Sequence, residues 1–164
     1  MTKLEEKLLS NKLRLEHESF ITRLSGTIKE LFTSCRQSSD INVINNLALS
    51  SWDNGVLTTT RGQLENWHRN EYSTWKDVKE ALLEFNIPKE NIGWFTINHD
   101  GMRYEMSGQI LSENIEDILD IIKTDYNEFD DFSWVGKEKD FGVVFEYNDN
   151  YGKGNDFEIC YWGI

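Results

Sequence analysis

The side chains best suited to chemistry in this sequence are three histidines, two cysteines and a large set of carboxylates. A histidine titrates near neutral pH and can act as general acid, general base or metal ligand. Nothing in the spacing of His17, His68 and His99 brings them together. His17 falls on a helical face, His68 sits in Trp67-His68-Arg69, and His99 sits in the turn Asn98-His99-Asp100-Gly101. Cys35 and Cys160 have neither a CxxC partner nor a neighbouring histidine, so both read as small buried side chains rather than zinc ligands. The loop 148–156 superficially resembles a calcium loop. Counted from Asp149, however, the third, fifth and twelfth positions are Tyr151, Lys153 and Cys160, which supply no carboxylate ligands. Lys153, between Gly152 and Gly154, lacks the spacing and the following Ser or Thr of a phosphate loop. No GxGxxG, HExxH or GxSxG motif occurs. The expectation is a protein without catalytic residues, metal or cofactor.

The carboxylates are more specific. Glu113, Glu116, Asp117 and Asp120 recur at i, i+3, i+4 and i+7, so a helix gathers them on one face. Ile115, Ile118, Leu119 and Ile122 form the apolar stripe beside them. The spacing predicts a helix over 113–124 with Ser112 as N-cap. The helix dipole would then favour Glu113 and Glu116 in the first turn. Asp120 gains nothing from it, and like charges at these spacings repel by a few tenths of a kcal/mol. Asp125, Tyr126, Glu128, Phe129, Asp130 and Asp131 follow, interleaving carboxylates with aromatics up to Phe132. Such a segment suits a basic protein surface, with aromatics as anchors and charge for steering. It equally suits a solvated helix face followed by a loop whose aromatics turn into the core. Asp149, Tyr151 and Asp156 of the 148–156 loop are further candidates for the same partner.

Charge distribution supports a partner of this kind. The chain has 164 residues with 29 acidic and 17 basic side chains, a formal net charge of −12. Residues 1–98 hold 13 acidic and 12 basic side chains, whereas residues 99–164 hold 16 and 5. Solubility alone would not require that asymmetry. An acidic balance disfavours direct binding to nucleic acid or to an anionic membrane. No apolar run approaches the roughly 20 residues of a membrane helix, and Met1–Lys7 contains no apolar h-region. A cytoplasmic location is expected. The length fits one domain, residues 1–164, and an oligomeric state is not legible.

The elements that must position these residues read as α+β. A helical N-terminal half packs on a mostly antiparallel sheet formed chiefly by residues 93–164. Residues 3–35 read as helix, with Leu9, Leu13, Phe20, Leu24, Ile28 and Leu31 on one arc and Leu4, Leu8 and Leu15 opposite. That pattern fits burial on two sides or a bend near Ser10-Asn11, and Gly26 weakens the middle. Ser38-Ser39-Asp40 looks like a break, and Ile41–Leu49 fits a short helix or a strand. Asn54-Gly55 predicts a hairpin leading into Val56–Thr60. Gln63–Arg69 reads as one or two helical turns. Residues 74–85 read as a helix with Trp75, Val78, Leu82 and Phe85 inward. Beyond Gly93, a hairpin about 98–101 and strands at 132–135, 141–147 and 157–162 are expected. In the second of these strands Phe141, Val143, Phe145 and Tyr147 alternate with Gly142, Val144 and Glu146.

This profile resembles the immunity proteins of bacterial toxin systems, including contact-dependent growth-inhibition, colicin-type and other polymorphic toxins. The likeness is carried by the acidic–aromatic segment 113–132 and the C-terminal run Asp156–Ile164. It is one of overall profile, and immunity proteins share no single fold. The resemblance implies tight binding to one cognate toxin domain, often a basic nuclease, whose active site or substrate surface is occluded. The alternative is an acidic interaction protein or nucleic-acid mimic, for example phage-encoded, with a small hydrolase behind it.

Overall fold

The computed structural model describes residues 1–38, 67–98, 101–123, 128–138, 140–148, 154 and 156–164, and the backbone alone at 52–53, 56–59 and 62–63. Among these residues the chain is α+β, with four helices and a seven-stranded antiparallel sheet.

Helix α1 (Lys3–Arg23) opens on a capping box. Thr2 Oγ accepts from Glu5 N at 3.3 Å, and the Glu5 carboxylate accepts from Thr2 N at 2.6 Å. The single helix expected over 3–35 is in fact two, because the chain turns extended at Leu24 and Ser25 before α2 (Gly26–Ser34). Gly26 takes φ +60°, which a side chain would resist, so it permits the corner rather than weakening a continuous helix. The break also resets the helical phase. Ile28 and Phe32 become the buried pair of α2, and Phe32 falls outside the arc read from the sequence.

Helix α3 (Trp75–Glu84) lies where expected. Thr74 accepts from Asp77 N at 3.2 Å, and Val78 and Leu82 are buried. Helix α4 (Gly108–Ile122) begins five residues before the expected start, and its N-cap is Ser107, not Ser112. Ser107 Oγ accepts from Ile110 N at 3.2 Å, while the Ser112 hydroxyl donates back to Gly108 O at 2.8 Å. Glycine at 108 lets this first turn approach the preceding loop. A Cβ there would lie 2.0 Å from Pro88 O.

The strands are β1 (Gln37–Ser38), β2 (Trp52–Asp53), β3 (Val56–Thr59), β4 (Gly62–Gln63), β5 (Trp67–Tyr72), β6 (Ile92–Ile97), β7 (Arg103–Ser107), β8 (Phe132–Gly136), β9 (Gly142–Tyr147) and β10 (Phe157–Trp162). The large sheet runs β1-β7-β6-β8-β9-β10-β5, and β2-β3-β4 form a separate small sheet. Strands β2 and β3 pair about Asn54-Gly55, as a hairpin there requires. Where helical turns were expected over Gln63–Arg69, the described residues are strand: Gln63 ends β4 and Trp67–Arg69 open β5. Residues 67–72 pair along the whole of β10 and close one edge of the sheet. Trp67-His68-Arg69-Asn70-Glu71-Tyr72 has almost no apolar–polar contrast, so nothing local marks it as a strand. Both sheet edges therefore come from the N-terminal half. The expectations for Ser39-Asp40 and Ile41–Leu49 fall outside the described residues.

One face of the sheet carries Phe95, Tyr104, Met106, Phe132, Trp134, Val143, Phe145, Phe157 and Ile159, all in one core with α1 to α4. The aromatic face expected of β9 is the face that packs inward. Trp134 is fully buried, and its indole N–H donates to Met106 O at 3.0 Å. The opposite face is also largely buried but smaller and more polar. Val135, Val144, Cys160 and Trp162 cluster there with Trp67. Thr96, Arg103, Ser133 and Glu158 are the buried polar groups of the same face.

Candidate functional site

Helix α4 positions the acidic row. Its apolar stripe of Leu111, Ile115, Ile118, Leu119 and Ile122 is buried, which turns Glu113, Glu116, Asp117 and Asp120 outward, all four exposed. The early start of the helix changes their electrostatics. With Ser107 as N-cap, no acidic residue lies in the first turn, so the dipole compensation expected for Glu113 and Glu116 is absent. Asp120 lies in the last turn, where the dipole opposes it. The Gln109 amide donates to Glu113 at 2.9 Å, and Lys79 of α3 reaches Asp120 at 3.8 Å. An exposed pair of that length contributes ~0–1 kcal/mol. The row is therefore a mutually repelling set of solvated carboxylates available to an external cation.

The segment after α4 is tied back to its end. Asp130 N donates to Ile122 O at 2.8 Å, and Phe129 pairs with Lys123. Glu128 is exposed beside the end of the helix. Phe129 turns inward instead, with its ring 4.6 Å from Trp75, 5.0 Å from Phe157 and 5.2 Å from Tyr147. Of the two courses open to the aromatics here, Phe129 takes the one into the core. Asp131 is half-buried and accepts from Tyr147 N at 2.8 Å, which joins this segment to β9. Asp156 is half-buried, and its backbone carbonyl accepts from Asn148 N at 2.7 Å. Asp125, Tyr126, Asp149 and Tyr151 lie outside the described residues.

A second carboxylate row, across strands, escaped the sequence reading. The registers place Glu146 opposite Glu158 and Glu158 opposite Glu71. Arg69 bridges the row, 2.5 Å from Glu158 and 3.5 Å from Glu71. Its hydrogen bond to Glu158 pushes the guanidinium pKa up, and the nearby carboxylates add to the effect. Burial raises the carboxyl of Glu146 above its ordinary value, with Glu158 and Asp131 raising it further. Burial, then Glu158, also pushes up the Cys160 thiol, which donates to Glu158 at 3.5 Å. A thiol held protonated among carboxylates is a poor nucleophile. The available signal was the alternation of β9 and β10, which puts Glu146 and Glu158 on the face away from the aromatics. The pairing of Glu71 with Glu158 had no local signal.

His17 and His68 do not converge into a site. His17 is half-buried at the core edge, with Nδ1 2.7 Å from the Tyr104 hydroxyl, and burial lowers its pKa. It lines a groove of about 550 Å³ between α1 and the β6–β7 hairpin, which Asp130 borders. His68 stacks on Tyr161 at 4.9 Å at the far sheet edge. His99 lies outside the described residues. Among the described residues no group of three or more His, Cys, Asp or Glu could hold a metal ion, and no helix is long and apolar enough to cross a membrane.

No protein-family model, curated protein or solved structure matches this chain.

Proposed function

We propose that this chain is an immunity-type inhibitor. It binds a cognate basic, nuclease-like toxin domain through the exposed face of α4 and the adjoining 128–131 segment. Binding occludes the toxin's active site or substrate surface. The chain itself is non-catalytic, needs no cofactor, and acts in the cytoplasm. One observation carries the reading: Glu113, Glu116, Asp117 and Asp120 form an outward row that the helix dipole does not compensate and that Lys79 only partly balances. Four solvated carboxylates along about 10 Å of helix form a compact epitope for Lys and Arg side chains. A nucleic-acid mimic would need carboxylates spread along an extended track, so the compact row favours a protein partner.

Co-expression with the product of the neighbouring gene tests this. The expected result is a stoichiometric complex with a basic, toxic domain, and survival of cells that carry both. Failure to capture such a domain, together with no protection from it, would sink the proposal.

A further inference from the structure

The side of α1 turned away from the core carries a second apolar row. Leu4, Leu8 and Leu15 are 66%, 60% and 56% exposed, and Met1, just ahead of the helix, is 67% exposed. Single exposed leucines are ordinary. These are aligned: Leu4, Leu8, Asn11 and Leu15 follow steps of four, three and four, the 3.5-residue period of a coiled-coil seam. Leu13, on the inward side, is buried. We propose that this seam is where two copies of the chain meet, α1 against α1 in antiparallel orientation.

Charge selects the occupant. Two copies of a chain with net charge −12 repel most through residues 99–164, which hold 16 acidic and 5 basic side chains. Helix α1 lies in the nearly neutral part of the chain, and its Lys3, Lys7, Lys12, Arg14 and Arg23 offset Glu5, Glu6, Glu16 and Glu18. A basic toxin domain gains little from this balanced face, so the inference is independent of the proposed inhibitory role.

The flanking residues select the orientation. In an antiparallel pair, Leu4 packs on Leu15 of the second copy and Leu8 on Asn11. That layering sets Glu5 against Lys12 of the second copy, twice by the twofold axis. Lys7 then faces Arg14 of the second copy; Glu18 holds Arg14 at 2.5 Å, as Glu16 holds Lys12 at 3.7 Å, so the flanking charges of the antiparallel pair roughly cancel. A parallel pair would set Lys7 against Lys12 with no attractive flanking pair. The contact is small. The paired stretch, Leu4 to Leu15, is about 17 Å of helix and buries on the order of 350 Å² per copy, well below the roughly 800 Å² of a standard interface. The dimer is accordingly weak.

Sedimentation velocity on the full chain, from about 5 to 500 μM at 0.15 M salt, tests the proposal. The expected result is a reversible monomer–dimer equilibrium. Leu8→Glu should leave only monomer with unchanged circular dichroism and melting temperature, since Leu8 makes no core contact. Leu15→Gln should weaken the dimer by about tenfold and serves as the check if Leu8→Glu misfolds. Asn11→Leu should tighten it by about tenfold, because the seam loses its one polar layer. Lys12→Glu should weaken an antiparallel pair and strengthen a parallel one. A wild-type chain monomeric throughout, or a dimer indifferent to Leu8→Glu and Leu15→Gln, overturns the proposal. A dimer tightened by Lys12→Glu overturns the antiparallel pairing. Toxin binding lost in Leu8→Glu while the wild type stays monomeric would assign the seam to the toxin instead, also against the proposal.

Discussion

The carboxylate rows on α4 and across β9, β10 and β5 use the same residue types at similar spacing, about 5 Å between neighbouring Cβ atoms. Their surroundings separate them. On α4 all four carboxylates face water, where a pair of unit charges at contact interacts by only about 1 kcal/mol. Across the strands Glu158 is buried, Glu146 is half-buried with a raised pKa, and Arg69 is held against Glu158 as an internal counter-charge. One row is charge that the fold does not use. The other is charge that the fold must manage itself.

Four outcomes would break or sharpen that comparison. The largest effect lies in the strand beneath the second row, where Phe145 and Glu146 point to opposite faces. Phe145 is fully buried, and Phe145→Ala should cost about 3–5 kcal/mol in denaturant unfolding. A loss below about 1 kcal/mol would contradict this strand facing.

Arg69→Ala comes next. It leaves Glu158 buried beside Glu146 and Glu71 without its bridge. Complete burial would make that cost roughly 3–5 kcal/mol, but the Arg69 side chain is 40% exposed, so about 2 kcal/mol is expected at pH 8. The loss should shrink toward pH 4 as Glu146, whose pKa burial raises, takes up a proton and its repulsion of Glu158 disappears. A pH-independent loss would mean that Arg69 acts through packing alone.

Glu146→Gln should act in the opposite direction. The folded chain holds the Glu146 proton more tightly than the unfolded chain does. The side chain therefore favours folding below its ordinary value of 4.5, and this contribution is lost as pH rises through the raised folded value. The amide should raise the melting temperature at pH 8 by a few degrees and leave it unchanged at pH 4. A destabilised variant at pH 8 would show that the ionised carboxylate is used as an acceptor.

The smallest stability effect belongs to the other row. Glu116→Gln, Asp117→Asn and Asp120→Asn together should change stability by less than about 0.5 kcal/mol, because they remove mutual repulsion from a solvated face. The effect should appear in kinetics with the proposed toxin partner. Association should slow by about tenfold at low salt, and its salt dependence should flatten. Stopped-flow binding from 0.05 to about 0.5 M salt would show it. Unchanged rates would place the interface elsewhere on the molecule.

Much of the helical layer was legible. The stripe Trp75, Val78, Leu82 and that of Ile115, Ile118, Leu119, Ile122 each repeat the helical period without interruption, and each packs inward. The alternation of Phe141–Tyr147 likewise told which face of β9 turns to the core. Errors arose where two local signals competed. Ser112 followed by Glu113 looks like a helix start, but Ser107 makes the cap, because Gly108 lets the chain turn against Pro88. Leu24 and Ile28 are both buried and appeared to continue one arc, although the backbone breaks between them. Strand β5 has no apolar alternation and exists through its pairing with β10.

The acidic site divides in the same way. Residues at i, i+3, i+4 and i+7 share a helix face by backbone geometry alone, so the α4 row and its net charge follow from the sequence. Its lack of dipole compensation follows from a cap fixed by a loop some twenty residues upstream. The strand row depends entirely on register. Glu71 and Glu158 are 87 positions apart, and a slip of one residue would turn either to the other face. Register is the sum of many small cross-strand preferences, each worth ~0.2–1 kcal/mol, and it settles only when the aromatic faces of β8, β9 and β10 are packed together. Local periodicity therefore determined which residues could face a partner, and tertiary packing decided which carboxylates the fold kept for itself.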